Sequence, residues 1–129
     1  MQEVNRRPVV YIASPYTQGD VAINVRFQHS AWDRLYTLGF TPIAPLWSHY
    51  QHLFEPRPYE HWIAYDHEII RRCVDVMIRL PAAGPNGYRQ AESSGADDEV
   101  ELAKSLGIPV FDSIELLRAW QRDSWKPPS

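Results

Sequence analysis

Short, continuously apolar runs alternate along this chain with longer stretches of helical period. Residues 9–13, Val-Val-Tyr-Ile-Ala, are apolar throughout and rich in β-branched side chains, the pattern of a strand covered on both faces. Residues 14–20 are turn formers, and Asp20 stands where a helix N-cap belongs. From 21 to 38 apolar positions recur at helical spacing, with Ala22, Val25, Phe27, Ala31, Leu35 and Leu38 on one broad face, and Gly39 ends the run as a C-terminal cap. Residues 40–44 read as a second strand closed by Pro45, and residues 46–58 as a loop crowded with aromatics and histidine. A helix is predicted over 59–73 with Trp62, Ile63, Ile69 and Ile70 inward, then a third strand over 74–80 closed by Pro81. A Gly- and Pro-punctuated loop fills 82–93, a third long helix 94–106 ends at Gly107, and 108–111 form a fourth strand. Ser113 caps a last amphipathic helix to about 122.

Strand and helix alternate throughout, which predicts an α/β fold: one parallel sheet of four to five strands with helices on both faces. Ligands of such sheets bind beyond the carboxyl ends of the strands, where the strand order reverses. The loops after the first and third strands should therefore share one rim, with Glu99, in the first turn of the following helix, beside them.

Composition narrows the class. At 129 residues the expectation is a single domain over 1–129, frayed at about 1–7 and 123–129. A net charge of −3 gives no basic footprint, so no nucleic-acid polymer is expected as partner. A lone cysteine, Cys73, excludes an internal disulfide and fits a reducing compartment; it reads as inert core at a helix-to-strand junction. No apolar run spans a bilayer and the first eight residues lack a signal-peptide core, so a cytoplasmic protein without membrane partners is expected. Five Trp and seven Tyr supply rings that could stack on a flat ligand.

Candidate chemistry concentrates at the rim. Glu99 follows Asp97 and Asp98, and three adjacent acids exceed what a helix N-terminus needs. The bland alternative for Glu99 is a dipole-stabilising charge. Tyr11 reads first as core, or else as a phenol reaching the rim to orient a carboxylate. Ser14, Ser93 and Ser94 offer hydroxyls near helix N-termini, a setting suited to an anion, although neither rim loop carries a Walker or G-x-G-x-x-G pattern. His49, His52, His61 and His67 lack metal-site spacing, so no metal is expected and stacking or solvated roles are preferred. Asp66 and Asp75 flank the passage from the second long helix to the third strand, and Asp66 could bond the edge of a base.

Tyr11-Ile-Ala-Ser-Pro-Tyr-Thr17, Trp62 with Asp66, Asp75 entering a strand, and Ser-x-Gly-x-x-x-Glu99-x-x-x-Ala103 followed by Gly107-Ile-Pro-Val110 together resemble the nucleoside 2-deoxyribosyltransferase-like superfamily. That superfamily includes 2'-deoxynucleoside 5'-monophosphate N-glycosidases and CMP hydrolases, on a Rossmann-like or flavodoxin-like sheet. The resemblance implies Glu99 as the nucleophile that attacks C1' of the sugar and forms a covalent glycosyl-enzyme. It implies Tyr11 as the group that orients Glu99, and Asp66 as the acid at the departing base, with Asp75 as its competitor.

Ser14, Pro15, Tyr16, Ser94, Gly95, Trp47 and Arg26 are the further candidate substrate contacts. Ser93, six positions before Glu99, matches the serine that monophosphate hydrolases place at the phosphate, whose charge Arg26, Arg79 or Arg89 would have to balance. No cofactor is implied. A small nucleoside or nucleotide is the implied substrate, and a homodimer or higher homo-oligomer the implied assembly. The alternatives are a ribonucleotide phosphoribohydrolase, whose Gly-Gly-x-Gly-Thr loop this sequence lacks, and a non-catalytic nucleotide-binding sensor module.

Overall fold

The computed structural model describes residues 6–16, 20–80 and 94–128. Among these residues four strands, β1 (Val9–Ala13), β2 (Thr41–Ile43), β3 (Val76–Arg79) and β4 (Val110–Phe111), form one all-parallel sheet in the order β2-β1-β3-β4. Among the described residues five α-helices surround it: α1 (Val21–Thr37), α2 (Ser48–Phe54), α3 (Tyr59–Cys73), α4 (Ser94–Ser105) and α5 (Ile114–Asp123). The α/β class with helices on both faces is therefore observed. Among the described residues no helix is long and apolar enough to cross a membrane.

Alternation along β1 divides the core in two, because successive strand side chains point to opposite faces. Val10 and Ile12 meet Leu35 of α1 and Leu117 of α5 on one face. Tyr11 and Ala13 meet Ile70 of α3 and Ala96 and Ala103 of α4 on the other. Strand order reverses between β1, which leads outward to β2, and β3, which leads the opposite way to β4. The carboxyl ends of these two central strands frame the crevice in which a ligand of such a sheet sits.

The helix ends follow the local sequence. Asp20 accepts from the backbone N–H of Ile23 at 3.1 Å and caps α1; Ser113 does the same for Leu116 at 3.2 Å and caps α5. Gly39 holds φ at +97°, a left-handed turn that lets the chain leave α1 and enter β2 at once.

Three expectations change. The stretch taken as loop from 46 contains a 3-10 turn at Pro45–Trp47 followed by α2. The α2 helix buries none of its residues, so it left no apolar stripe to read. Cys73 is exposed rather than core: it is the last residue of α3, one turn beyond buried Ile70, and it lines a surface groove with Tyr65 and Ile69. On α1 the buried residues are Asn24, Val25, Gln28 and Leu35, whereas Ala22 is exposed; two amides occupy the stripe where apolar side chains were expected.

Candidate active site

Glu99 lies in the second turn of α4, and the register of that helix turns its side chain towards β1. Only 7% of it is exposed. The phenol of Tyr11, itself fully buried, donates a hydrogen bond to Oε2 of Glu99. Burial, then the negative charges of Glu99 and Asp66, push the Tyr11 phenol well above its usual pKa, so it stays protonated and stays a donor. Burial raises Glu99 to about 8; the hydrogen bond from Tyr11 and the Arg79 guanidinium pull back towards the anion, while Asp66 and Asp98 push the other way. Arg79 closes β3 and is fixed by donating to the Leu80 carbonyl at 2.8 Å, with Asp97 at 3.6 Å.

Asp66 faces the same cleft from α3. Burial raises its carboxyl to about 7. It shares its helix face with Tyr59, Trp62, Ile63 and Ile70, which recur at helical spacing, so an acid interrupts a wall that is otherwise apolar and aromatic. Two buried, mutually repelling carboxyls titrate as a pair, and near neutrality they hold about one proton between them.

The remaining wall comes from the β1 loop, from Gly95 and Ala96 at the start of α4, and from α2. Ser14 Oγ accepts from Nε2 of Gln28 at 2.8 Å, which leaves the serine proton to point elsewhere. Gln28 is fully buried and also donates to the Ile12 carbonyl, while its Oε1 takes the Leu46 N–H at 2.8 Å. One amide thus ties the end of β1 to the turn before α2. The Tyr16 hydroxyl bonds Nδ1 of His49 at 2.6 Å, and its carbonyl accepts from Asn24 at 2.8 Å.

Of the residues singled out from sequence, Glu99, Tyr11 and Asp66 converge, and Ser14, Tyr16 and Gly95 line the same cleft. Pro15 is buried beside them in the chain. Asp75 does not join them: at the amino edge of the sheet it accepts from the Val9 N–H at 2.8 Å, a structural tie that leaves Asp66 without a rival in the cleft. Arg26 lines a separate cavity between α1 and α2. Trp47 lines a neighbouring groove that shares Trp62 and Asp66 with the cleft, and it packs against Trp32 and His29. Ser93, Arg89 and the side chain of Ser94 lie outside the described residues.

Sequence reasoning missed Gln28 and gave no specific role to His52. Asn24 and Gln28, four apart in line with Leu35, were the available signal: two amides on a stripe that should be apolar.

A model of the family described as a domain of unknown function, DUF7768, matches residues 8–113. The chain belongs to that family. The matched span contains β1 to β4, and with them all three groups of the carboxylate–phenol cluster, so the DUF7768 domain and the cleft coincide. No curated protein matches the chain. Among the described residues of the DUF7768 domain, no three His, Cys, Asp or Glu side chains are grouped to hold a metal ion.

Proposed function

We propose that this protein cleaves the N-glycosidic bond of a (2'-deoxy)nucleoside or its 5'-monophosphate through a covalent glycosyl-enzyme on Glu99. The observation that carries this reading is the buried Glu99 carboxyl, held by the Tyr11 phenol and opposed by a second raised carboxyl across an aromatic-walled cleft. A site of two carboxyls in different surroundings suits displacement at an oxocarbenium-like carbon.

Tyr11 engages Oε2 of Glu99, which leaves Oε1 to attack C1'. The C1'–N bond breaks and its electron pair goes to the base, which takes the proton of Asp66. In the free pair the proton rests mainly on Glu99, raised to about 8 against about 7 for Asp66; a base nitrogen seated against Asp66 draws the proton there, and the Tyr11 phenol and the Arg79 guanidinium stabilise the Glu99 anion left behind. Water, or a second base, then displaces Glu99 from C1', with Asp66 receiving the proton. Trp62 and Ile63 supply the apolar wall for the base.

The same reading carries a homo-oligomer. Leu53 and Phe54, at the end of α2, are 65% and 83% exposed, and the groove beside the cleft is lined by Trp47, Tyr65 and Ile69. It also carries a cytoplasmic setting, which suits the free and exposed thiol of Cys73.

The test is a panel of nucleosides and 5'-monophosphates, incubated with and without an acceptor base and resolved by chromatography. Free base with sugar or sugar phosphate supports hydrolysis, and an exchanged nucleoside supports transfer. Binding without release of base from any member supports the sensor module instead.

A further inference from the structure

We propose that His52 selects the base: its Nε2–H donates to a carbonyl oxygen beside the ring atom that Asp66 protonates, favouring hypoxanthine, guanine and cytosine over adenine. This rests on the glycosidase reading of the cleft.

His52 sits on α2 and lines the cleft with Asp66. Its Nδ1 accepts two hydrogen bonds, from the indole Nε1 of Trp62 at 3.0 Å and from the backbone N–H of Arg57 at 3.2 Å. Neither partner can accept, so Nδ1 must carry its lone pair and the proton of the neutral ring sits on Nε2. The indole meets the imidazole edge-on, with planes at 72°, an arrangement compatible with its N–H pointing at the ring nitrogen. The tautomer of His52 is therefore set by the fold, and the nitrogen left over is a donor.

Trp62 precedes Asp66 by one helical turn on the same face of α3, about 6 Å along the helix axis, so the indole that holds His52 and the acid line the cleft side by side. Trp62 has committed its only polar atom to His52 and offers a ligand nothing but apolar surface. This wall consequently presents two donors to a base, the carboxyl proton of Asp66 and the Nε2–H of His52. A fitting base shows two neighbouring acceptors. The N7 and O6 atoms of hypoxanthine and guanine do so, as do N3 and O2 of cytosine. Adenine shows N7 beside an amino donor, which would face the His52 N–H and leave both donors unpaired.

The test compares base release from deoxyinosine and deoxyadenosine 5'-monophosphates, which share a size and differ at C6, with deoxycytidine monophosphate as a third arm. Wild type, His52→Gln and His52→Glu are assayed after unfolding curves confirm that each is folded. Glutamine keeps an acceptor for Trp62 and a donor for the base, whereas glutamate keeps the acceptor and loses the donor. Wild type and His52→Gln should favour hypoxanthine over adenine in kcat/KM by about tenfold or more, and His52→Glu should erase that ratio.

A His52 that only braces α2 would lower both rates together and leave the ratio unchanged, which overturns the proposal, as does a wild-type preference for adenine. Turnover confined to the cytosine arm assigns O2 as the acceptor, provided His52→Glu falls below His52→Gln; equal rates overturn it. Should no nucleotide release base, the glycosidase reading fails, and calorimetric binding of the two purine nucleotides decides the inference by the same ratio.

Discussion

Tyr11 and Glu99 stand 88 positions apart in the chain and share a buried hydrogen bond between the central strand and α4. The strand fixes the phenol and the helix fixes the carboxyl, so the bond reports the packing of α4 on the sheet. Because burial keeps the phenol protonated, the donor is permanent, and every ionisation in the pair falls on the carboxyl.

Removing that donor tests its role. Tyr11→Phe should lower kcat by about 10²-fold, the scale of losing one preorganised donor to a developing or resident charge. It should also move the acidic limb of the pH–rate profile upward, since Glu99, at about 8, loses an influence that pulls it towards the anion. A profile that keeps its acidic limb would separate Tyr11 from Glu99 ionisation.

Activity of the wild type should peak between about 7 and about 8, where the Glu99–Asp66 pair holds one proton. Below that window both carboxyls are neutral and the nucleophile is lost; above it both are charged and the base receives no proton. Asp66→Asn should flatten the basic limb and cost about 10²–10⁴-fold with an ordinary base. With 7-methylguanine as leaving group, already cationic, most of that loss should vanish. An equal loss for both leaving groups would contradict proton donation by Asp66.

Glu99 should weaken the fold as pH rises. Its carboxyl ionises near 4.5 in the unfolded chain and at about 8 in the native one, so the native state binds the extra proton between those values and stability falls across them. At about 1.4 kcal/mol for each unit, the cost at the upper end is of the order of 4–5 kcal/mol. Glu99→Gln keeps an oxygen for Tyr11 and has no proton to lose. Its gain in Tm over wild type should therefore grow from about pH 5 to about pH 8. A gain that is constant or shrinks with pH would contradict the burial argument.

Gln28 carries no chemistry but holds the site together. Gln28→Leu strips partners from Leu46 N–H, Ser14 Oγ and the Ile12 carbonyl, and should cost about 2–4 kcal/mol in denaturant unfolding. Substrate KM should rise as the Ser14 rim loosens. An unchanged midpoint would mean that water or a shifted backbone replaces the amide.

The sheet and its long helices were legible because each carries its own period: a continuous apolar run for β1, a 3.6-residue stripe for α3, and glycines at the ends of α1 and α4. That the end of β1 and the start of α4 face one cleft followed from topology alone, while the loop between β3 and α4 lies outside the described residues. The α2 helix was not legible, since a seven-residue helix that buries nothing leaves no periodic trace. Neither was the separation of Asp66 from Asp75. Nine positions separate them, and only the sheet's direction sends one to the cleft and the other to the opposite edge. Cys73 misled for a related reason: a helix's last residue can point either way, and its rotation about the axis follows from packing.

The most direct measurement is the mass of the protein after reaction with a 2'-fluoro-2'-deoxyarabinosyl nucleotide, whose fluorine slows the second step more than the first. The account predicts one added sugar phosphate per chain, released base in equal amount, and a peptide map that puts the adduct on Glu99, with no adduct on Glu99→Gln. Base release without an adduct, or an adduct on any other residue, would contradict it.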